Sequence, residues 1–298
     1  MGLPLLGLAL CWPETARPIG TPALDPVQVV QGYEDGRFLD LSALEFNGRT
    51  GELLVADRGA GKVYGFGAGG SSRRVLDLPE GCDPLDLAVD AKGRVLVLDG
   101  GKPGRVLVLS ASGLESWKLP AEACQKTSAL RLALAPEGDL YVLYGGTQGV
   151  WKRDAGSVEF HRWMGSSAPG WEALALDGFG RLCLVGPGPK NILLAEGEGK
   201  IHFALADRNG SAGLLRRPSA PYVDVQGRLW IADAETGFLK VFDAQGGLSF
   251  SLDTAGLAAG PLVRILDISS DRDHRFFFLD HGRQCLCIYD ERRGNVGL

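Results

Sequence analysis

One short pattern recurs six times along this chain at a spacing typical of a supersecondary unit, and that recurrence limits what the chain can become. The segments Leu87-Ala88-Val89-Asp90-Ala91-Lys92-Gly93-Arg94-Val95-Leu96-Val97-Leu98-Asp99 and Leu132-Ala133-Leu134-Ala135-Pro136-Glu137-Gly138-Asp139-Leu140-Tyr141-Val142-Leu143-Tyr144 share one order: aliphatic run, polar turn, aliphatic run. Further copies span Leu174–Val185 and Tyr222–Asp233. Two looser ones span Leu44–Asp57, with an extra residue in the turn, and Leu266–Asp280, where His274 stands in place of the turn glycine. The turn markers Gly51, Gly93, Gly138, Gly180, Gly227 and His274 are 42, 45, 42, 47 and 47 residues apart. Such a period describes a unit that cannot bury its own apolar faces and must stack on copies of itself.

Within each unit the pattern reads as a hairpin, a third strand and a fourth. The third runs include Arg105-Val106-Leu107-Val108-Leu109 and Cys285-Leu286-Cys287-Ile288-Tyr289. Glycine is abundant, 43 of 298 residues, as a chain with many tight turns requires. The sixth unit lacks a fourth strand, whereas Val27–Tyr33 is a strand with no unit of its own. If that segment completes the last unit, no long edge is left unpaired. The expected fold is therefore all-β: a six-bladed β-propeller of four-stranded antiparallel blades, the N-terminal strand closing the last blade. A solenoid would need polar end caps and would leave Val27–Tyr33 without a role. The expected organisation is an N-terminal segment (1–26), one propeller (27–290) and a tail (291–298).

Leu3–Trp12 is an apolar run too short to span a bilayer, followed by a Pro-rich stretch, and it resembles the core of a secretory signal. No Lys or Arg precedes it. Cys11 follows Leu8-Ala9-Leu10, which is similar to a lipoprotein box, with Leu10 large where such boxes carry a small residue. The balance favours a periplasmic or extracellular location over the cytoplasm. Of the six cysteines, Cys82 and Cys124 lie one repeat apart in equivalent loops and form a candidate disulfide, whereas Cys285 and Cys287 face one way along a strand. A net charge of −5 gives no footprint for nucleic acid.

The segments 87–99 and Gly227-Arg228-Leu229-Trp230-Ile231-Ala232-Asp233 resemble NHL repeats and, more loosely, the gluconolactonase and senescence-marker-protein superfamily of six-bladed propellers. The likeness runs from Val27 to Asp290. It implies the fold, and it implies activities as different as protein scaffolds, bacterial envelope proteins, lyases and lactonases. Lactonase-type relatives are expected to hold a divalent metal in the channel through Glu, Asn and Asp of the innermost strands. Here Glu45 and Glu172 are the glutamates near those strands, Asp86 is their nearest partner, and no Asn occurs in them. Asp86 aligns with Arg131 of the next unit, so a salt bridge between adjacent blades is expected and would spoil metal binding. Lyase-type relatives use zinc held by histidines. The four present are His161 and His202 in fourth strands and His274 and His281 in turns, and they do not converge. No Gly-x-Ser-x-Gly elbow occurs. The aspartates opening the second-to-third-strand turns, Asp57, Asp99, Asp233 and Asp280, are expected to accept backbone N–H bonds locally.

These readings favour a non-enzymatic scaffold without cofactor, presenting the loop-rich channel mouth to a protein partner in a bacterial envelope. Asp86, Arg131, Trp171, Glu172, Arg216, Arg217, Tyr222 and Arg264 would form that binding face, since arginine and aromatics are enriched at interfaces. The alternatives are a metal-dependent lactonase- or lyase-like hydrolase with its channel site near Glu45, Asp86 and Glu172, and a rigid module of a larger assembly.

Overall fold

A computed structural model describes residues 23–34, 36–102, 104–124, 129–146, 148–165, 170–177, 179–186, 192–196, 199–204 and 213–292. The apolar run at Leu3–Trp12, Cys11, and the tail from residue 293 lie outside the described residues.

The six repeats are six four-stranded antiparallel blades. Strands β1 (Ala23–Val30), β2 (Gly32–Tyr33) and β3 (Gly36–Arg37) precede them. Blade one is β4 (Leu41–Asn47), β5 (Glu52–Asp57), β6 (Lys62–Gly67) and β7 (Ser72–Asp77); blade two is β8 (Pro84–Val89), β9 (Val95–Asp99), β10 (Arg105–Ser110) and β11 (Gly113–Lys118). Blade three is β12 (Ala129–Leu134), β13 (Leu140–Tyr144), β14 (Gly149–Arg153) and β15 (His161–Met164); blade four is β16 (Ala173–Leu176), β17 (Leu182–Val185), β18 (Ile192–Glu196) and β19 (Lys200–Ala204). Blade five is β20 (Pro218–Val223), β21 (Leu229–Asp233), β22 (Phe238–Phe242) and β23 (Leu248–Asp253), and blade six is β24 (Ile265–Ser270), β25 (Arg275–Asp280), β26 (Cys285–Arg292) and β1. Each first strand packs on the next one round, and β24 on β4 completes the ring.

The chain's beginning thus supplies the outer strand of its last blade, as the unpartnered N-terminal strand implied. The strand starts earlier than Val27, at Ala23, and ends at Val30, because Gly32 and Tyr33 turn away to pair with Arg37 and Gly36. Pro26 sits in the outermost strand beside a bulge, where its missing N–H breaks no ladder. Blade five is tied to the same β26: the Arg228 guanidinium bonds the Glu291 carboxylate through both its Nη atoms at 2.7 and 2.9 Å while Nε donates to Asp224 at 2.6 Å.

Between blades the apolar faces meet as the repeat requires. Leu53, Val55 and Phe66 of blade one pack with Phe277, Leu279 and Ile288 of blade six, all fully buried, and each such side chain contributes roughly 1.5–3 kcal/mol. Three of the first hairpin turns use one device. Asp90 Oδ1 accepts from the backbone N–H of Lys92 and Arg94, and Oδ2 from Arg94 Nε; Asp177 and Asp224 repeat the arrangement. His274, which replaces the turn glycine in unit six, keeps that glycine's left-handed backbone at φ 64.

The Cys82–Cys124 bridge is not formed. Both thiols are free, and each packs in a different inter-blade cluster, Cys82 beside Leu87 and Val97 and Cys124 beside Leu119 and Tyr144. Equivalent loops of a ring stand one blade apart, which separates residues that equal spacing in sequence seemed to pair.

Candidate functional site: the central channel

Register places two rungs of side chains on the innermost strands. Counting back one residue from the turn position of each second strand, the partners are Ala43, Asp86, Arg131, Ala173, Ser219 and Asp267. Counting back three, they are Glu45, Ala88, Ala133, Ala175, Tyr222 and Ser269. In blades one, two, three and six an extra residue interrupts the ladder just before the first rung: Ser42, Leu85, Leu130 and Leu266. A bulge at such a point re-aims the next side chain. In three of these blades that side chain is charged, and Asp86, Arg131 and Asp267 all line a channel cavity of about 210 Å³.

Both aspartates are held by backbone. Asp86 Oδ1 accepts from its own neighbour Leu87 at 3.0 Å and Oδ2 from Leu132 of the next blade at 2.7 Å. Asp267 repeats this across the ring's closure, with Ile268 at 2.9 Å and Leu44 at 2.9 Å. Arg131 faces them without closing the expected salt bridge on either. Its Nη1 donates instead to the Leu130 carbonyl at 2.9 Å, and its charge acts on both carboxyls through space.

The second rung divides the cavity. Ala88, Ala133 and Ala175 make a wall of small apolar side chains on blades two to four, opposite Glu45 and Tyr222 on blades one and five. Burial, then the charges of Asp267 and Asp86, push the Glu45 carboxyl up to about 8. Burial also raises Asp86 and Asp267, the latter further by the charge of Asp86, while Arg131 and the backbone N–H groups pull both back. Burial raises the Tyr222 phenol to about 12, and its oxygen lies 3.0 Å from Ser270 Oγ. Burial therefore favours the neutral form at all three carboxyls, and at Glu45 the neighbouring charges reinforce it, where Arg131 and backbone donors oppose it at the aspartates.

The residues do not fit the divalent metal that the lactonase resemblance implies. All four aspartate oxygens already accept backbone N–H bonds, a guanidinium shares the cavity, and among the described residues no three His, Cys, Asp or Glu side chains are grouped to hold an ion. Glu172 is exposed, outside the channel cavity. Asp267, which sequence reasoning passed over, stands in the ring beside Glu45. Its signal was present: Leu266-Asp267-Ile268 repeats Leu85-Asp86-Leu87.

Of the other candidates, Tyr222 lines the channel cavity, and Arg264 lines a neighbouring one at the mouth. Trp171 is buried between blades three and four against Leu143, Val150 and Leu184. Arg216 and Arg217 are exposed on the loop before β20, Arg216 paired with Glu235 at 3.1 Å.

No protein-family model matches the sequence, and no curated protein matches it. Solved structures do. A gluconolactonase from Xanthomonas campestris matches with a TM-score of 0.65 at 18% identity over 93% of this chain and 99% of that one. Virginiamycin B lyase from Staphylococcus aureus matches with 0.65 at 12% over 90% and 89%. A luciferin-regenerating enzyme matches with 0.66 at 12% over 91% and 95%. The chain is thus a six-bladed β-propeller similar in fold to gluconolactonase, streptogramin-lyase and luciferin-regenerating propellers. These neighbours are enzymes, and that finding corrects the expectation of a non-enzymatic scaffold acting through its loop face. Among the described residues no helix is long and apolar enough to cross a membrane.

Proposed function

We infer that the chain is a hydrolase- or lyase-like propeller whose chemistry takes place in the central channel, on a small ester or lactone. The observation that carries this reading is the meeting of Glu45, Asp86, Asp267 and Tyr222 in the lining of one channel cavity, where burial raises all three carboxyls, Glu45 to about 8. Buried carboxyls raised towards neutrality can give and take protons near neutral pH, one serving as acid and another as base. In the hydrolytic step an ionised member of the aspartate pair takes a proton from water as its oxygen adds to the ester carbonyl. The neutral Tyr222 hydroxyl donates a hydrogen bond to the carbonyl oxygen as it gains charge. Collapse breaks the bond to the leaving oxygen, which receives the Glu45 proton, and the proton held on aspartate returns to Glu45 through solvent. The alanine wall admits a compact substrate body between itself and Glu45.

The test is steady-state hydrolysis of p-nitrophenyl acetate and γ-butyrolactone. Glu45→Gln keeps the shape and removes the acid, and is expected to lower kcat/KM by about 10²–10⁴. The wild-type rate should fall as pH rises through about 8, where Glu45 loses its proton. Wild-type rates in Glu45→Gln would sink the reading.

A further inference from the structure

A second cavity, about 250 Å³, lies at the mouth, and Arg131 and Leu266 line both it and the channel cavity. Its polar lining has a surplus of cation. Arg58 is committed to Asp83 through Nε at 2.7 Å and Nη2 at 3.1 Å, and His281 Nε2 lies 3.1 Å from Asp40. Arg131 and Arg264 have no ion-pair partner among the described residues. The Arg264 backbone is nevertheless fixed on both sides: its N–H donates to Asp280 at 3.1 Å and its carbonyl accepts from His281 at 2.9 Å. Leu85, Leu130 and Leu266 surround the cavity between these charges and lower the local polarity. Guanidinium groups carry donors and no acceptor. Arg131 spends one donor on the Leu130 carbonyl and Arg264 is exposed, so with no carboxylate at ion-pair distance among the described residues their remaining donors are open to an anion that a ligand can bring.

We propose that this mouth cavity is a carboxylate-binding subsite formed by Arg131 and Arg264, which makes the substrate of the channel a small ester or lactone bearing a carboxylate. The inference rests on the reading of the channel as the reactive site and extends it to substrate class. A monoanion fits better than a phosphate dianion, because the Asp40 carboxylate lines the same cavity and Asp86 and Asp267 stand just beyond Arg131. Bound there, the ligand's carboxylate meets Arg131 on the first rung, and its body extends past the alanines towards Glu45.

Titration calorimetry with butyrate, its neutral amide butyramide, and inorganic phosphate reads the subsite without any turnover. Butyrate is expected to bind, butyramide to show no heat, and Arg264→Gln to weaken butyrate by about tenfold. Arg264→Lys, which keeps the charge and loses the fork, should fall between. Equal binding of amide and acid, phosphate binding tighter than butyrate, or unchanged affinity in Arg264→Gln would each overturn the proposal. Kinetics separates it from the reading on which it rests. The ratio of kcat/KM for the mono-p-nitrophenyl ester of glutaric acid to that for p-nitrophenyl butyrate should exceed one and collapse in Arg264→Gln. If Glu45→Gln abolishes turnover while that ratio is already flat in the wild type, the channel chemistry stands and the carboxylate subsite does not.

Discussion

The turn aspartates and the channel aspartates are the same residue type, and their surroundings drive them in opposite directions. Asp233 accepts backbone N–H bonds from Arg216 and Arg217, each at 3.0 Å, and from Glu235 at 3.2 Å. Asp99 accepts from Asp83 and Gly101 and from Arg105 Nε at 2.8 Å. Burial works against the charge on both, but these donors outweigh it and hold both carboxyls below their usual range. Asp86 and Asp267 have two backbone donors apiece and a guanidinium that does not touch them, and there burial prevails. Deeper enclosure in the channel, together with the lack of a third donor or a cation in contact, separates a carboxyl able to exchange a proton from one that fastens a loop.

The largest effect that would sharpen this contrast is on stability. Asp233→Asn should leave a buried amide facing donors it cannot all satisfy, and is expected to destabilise the fold by about 3 kcal/mol near pH 7, lowering Tm by roughly 6–10 °C. Because the folded pKa of Asp233 is depressed, its contribution is present above the unfolded value and is lost as pH falls through the folded one. The gap between variant and wild type should therefore narrow in acid, measured by thermal melts from pH 7 to pH 3. Asp267→Asn, by contrast, should cost far less stability. Equal losses for the two would remove the distinction.

Blades three and four break the turn pattern, with Tyr144 and Gly186 where the others carry Asp, and the structure supplies a reason for the second. A side chain built at Gly186 would meet Trp171 Cε3 at 3.0 Å and the Gly170 carbonyl at 3.1 Å, so the ring of Trp171 occupies the space that an aspartate latch fills elsewhere. Gly186→Asp is therefore expected to overpack the blade and destabilise it by about 2 kcal/mol, rather than restore the pattern. Chemical denaturation measures this, and a variant more stable than wild type would show that the latch is portable.

The same positions explain what could be read from sequence. The blades were legible because period, turn residue and aliphatic alternation are local, and because a strand left over at the beginning matched one missing at the end. The channel was only half legible. Asp86, Arg131 and Tyr222 were singled out, but the rung to which each belongs depends on bulges at Leu85, Leu130 and Leu266, and a bulge leaves no signature in an aliphatic run. Glu172 resembled a channel residue for the same reason. It precedes β16 in blade four, whose pairing carries no register shift, and it stays outside.

The smallest effect is the one that most directly tests the channel side of the comparison. Glu45 has a folded pKa near 8 against an ordinary value of 4.5, so it binds its proton more tightly in the folded chain than in the unfolded one. Its contribution to stability is fully present below the unfolded pKa and is lost as pH rises through the folded one, which is opposite in sign to Asp233. Each unit of displacement corresponds to ~1.36 kcal/mol, but the half-buried carboxyl lines the channel cavity, and that exposure weakens the penalty. Glu45→Gln cannot ionise, so it should match the wild type near pH 5 and become the more stable of the two by about 1–2 kcal/mol at pH 9. Urea melts of both proteins at the two pH values measure the difference. If the two curves stay parallel across that range, Glu45 ionises in the channel as freely as in water, and the cavity lacks the acid on which its chemistry depends.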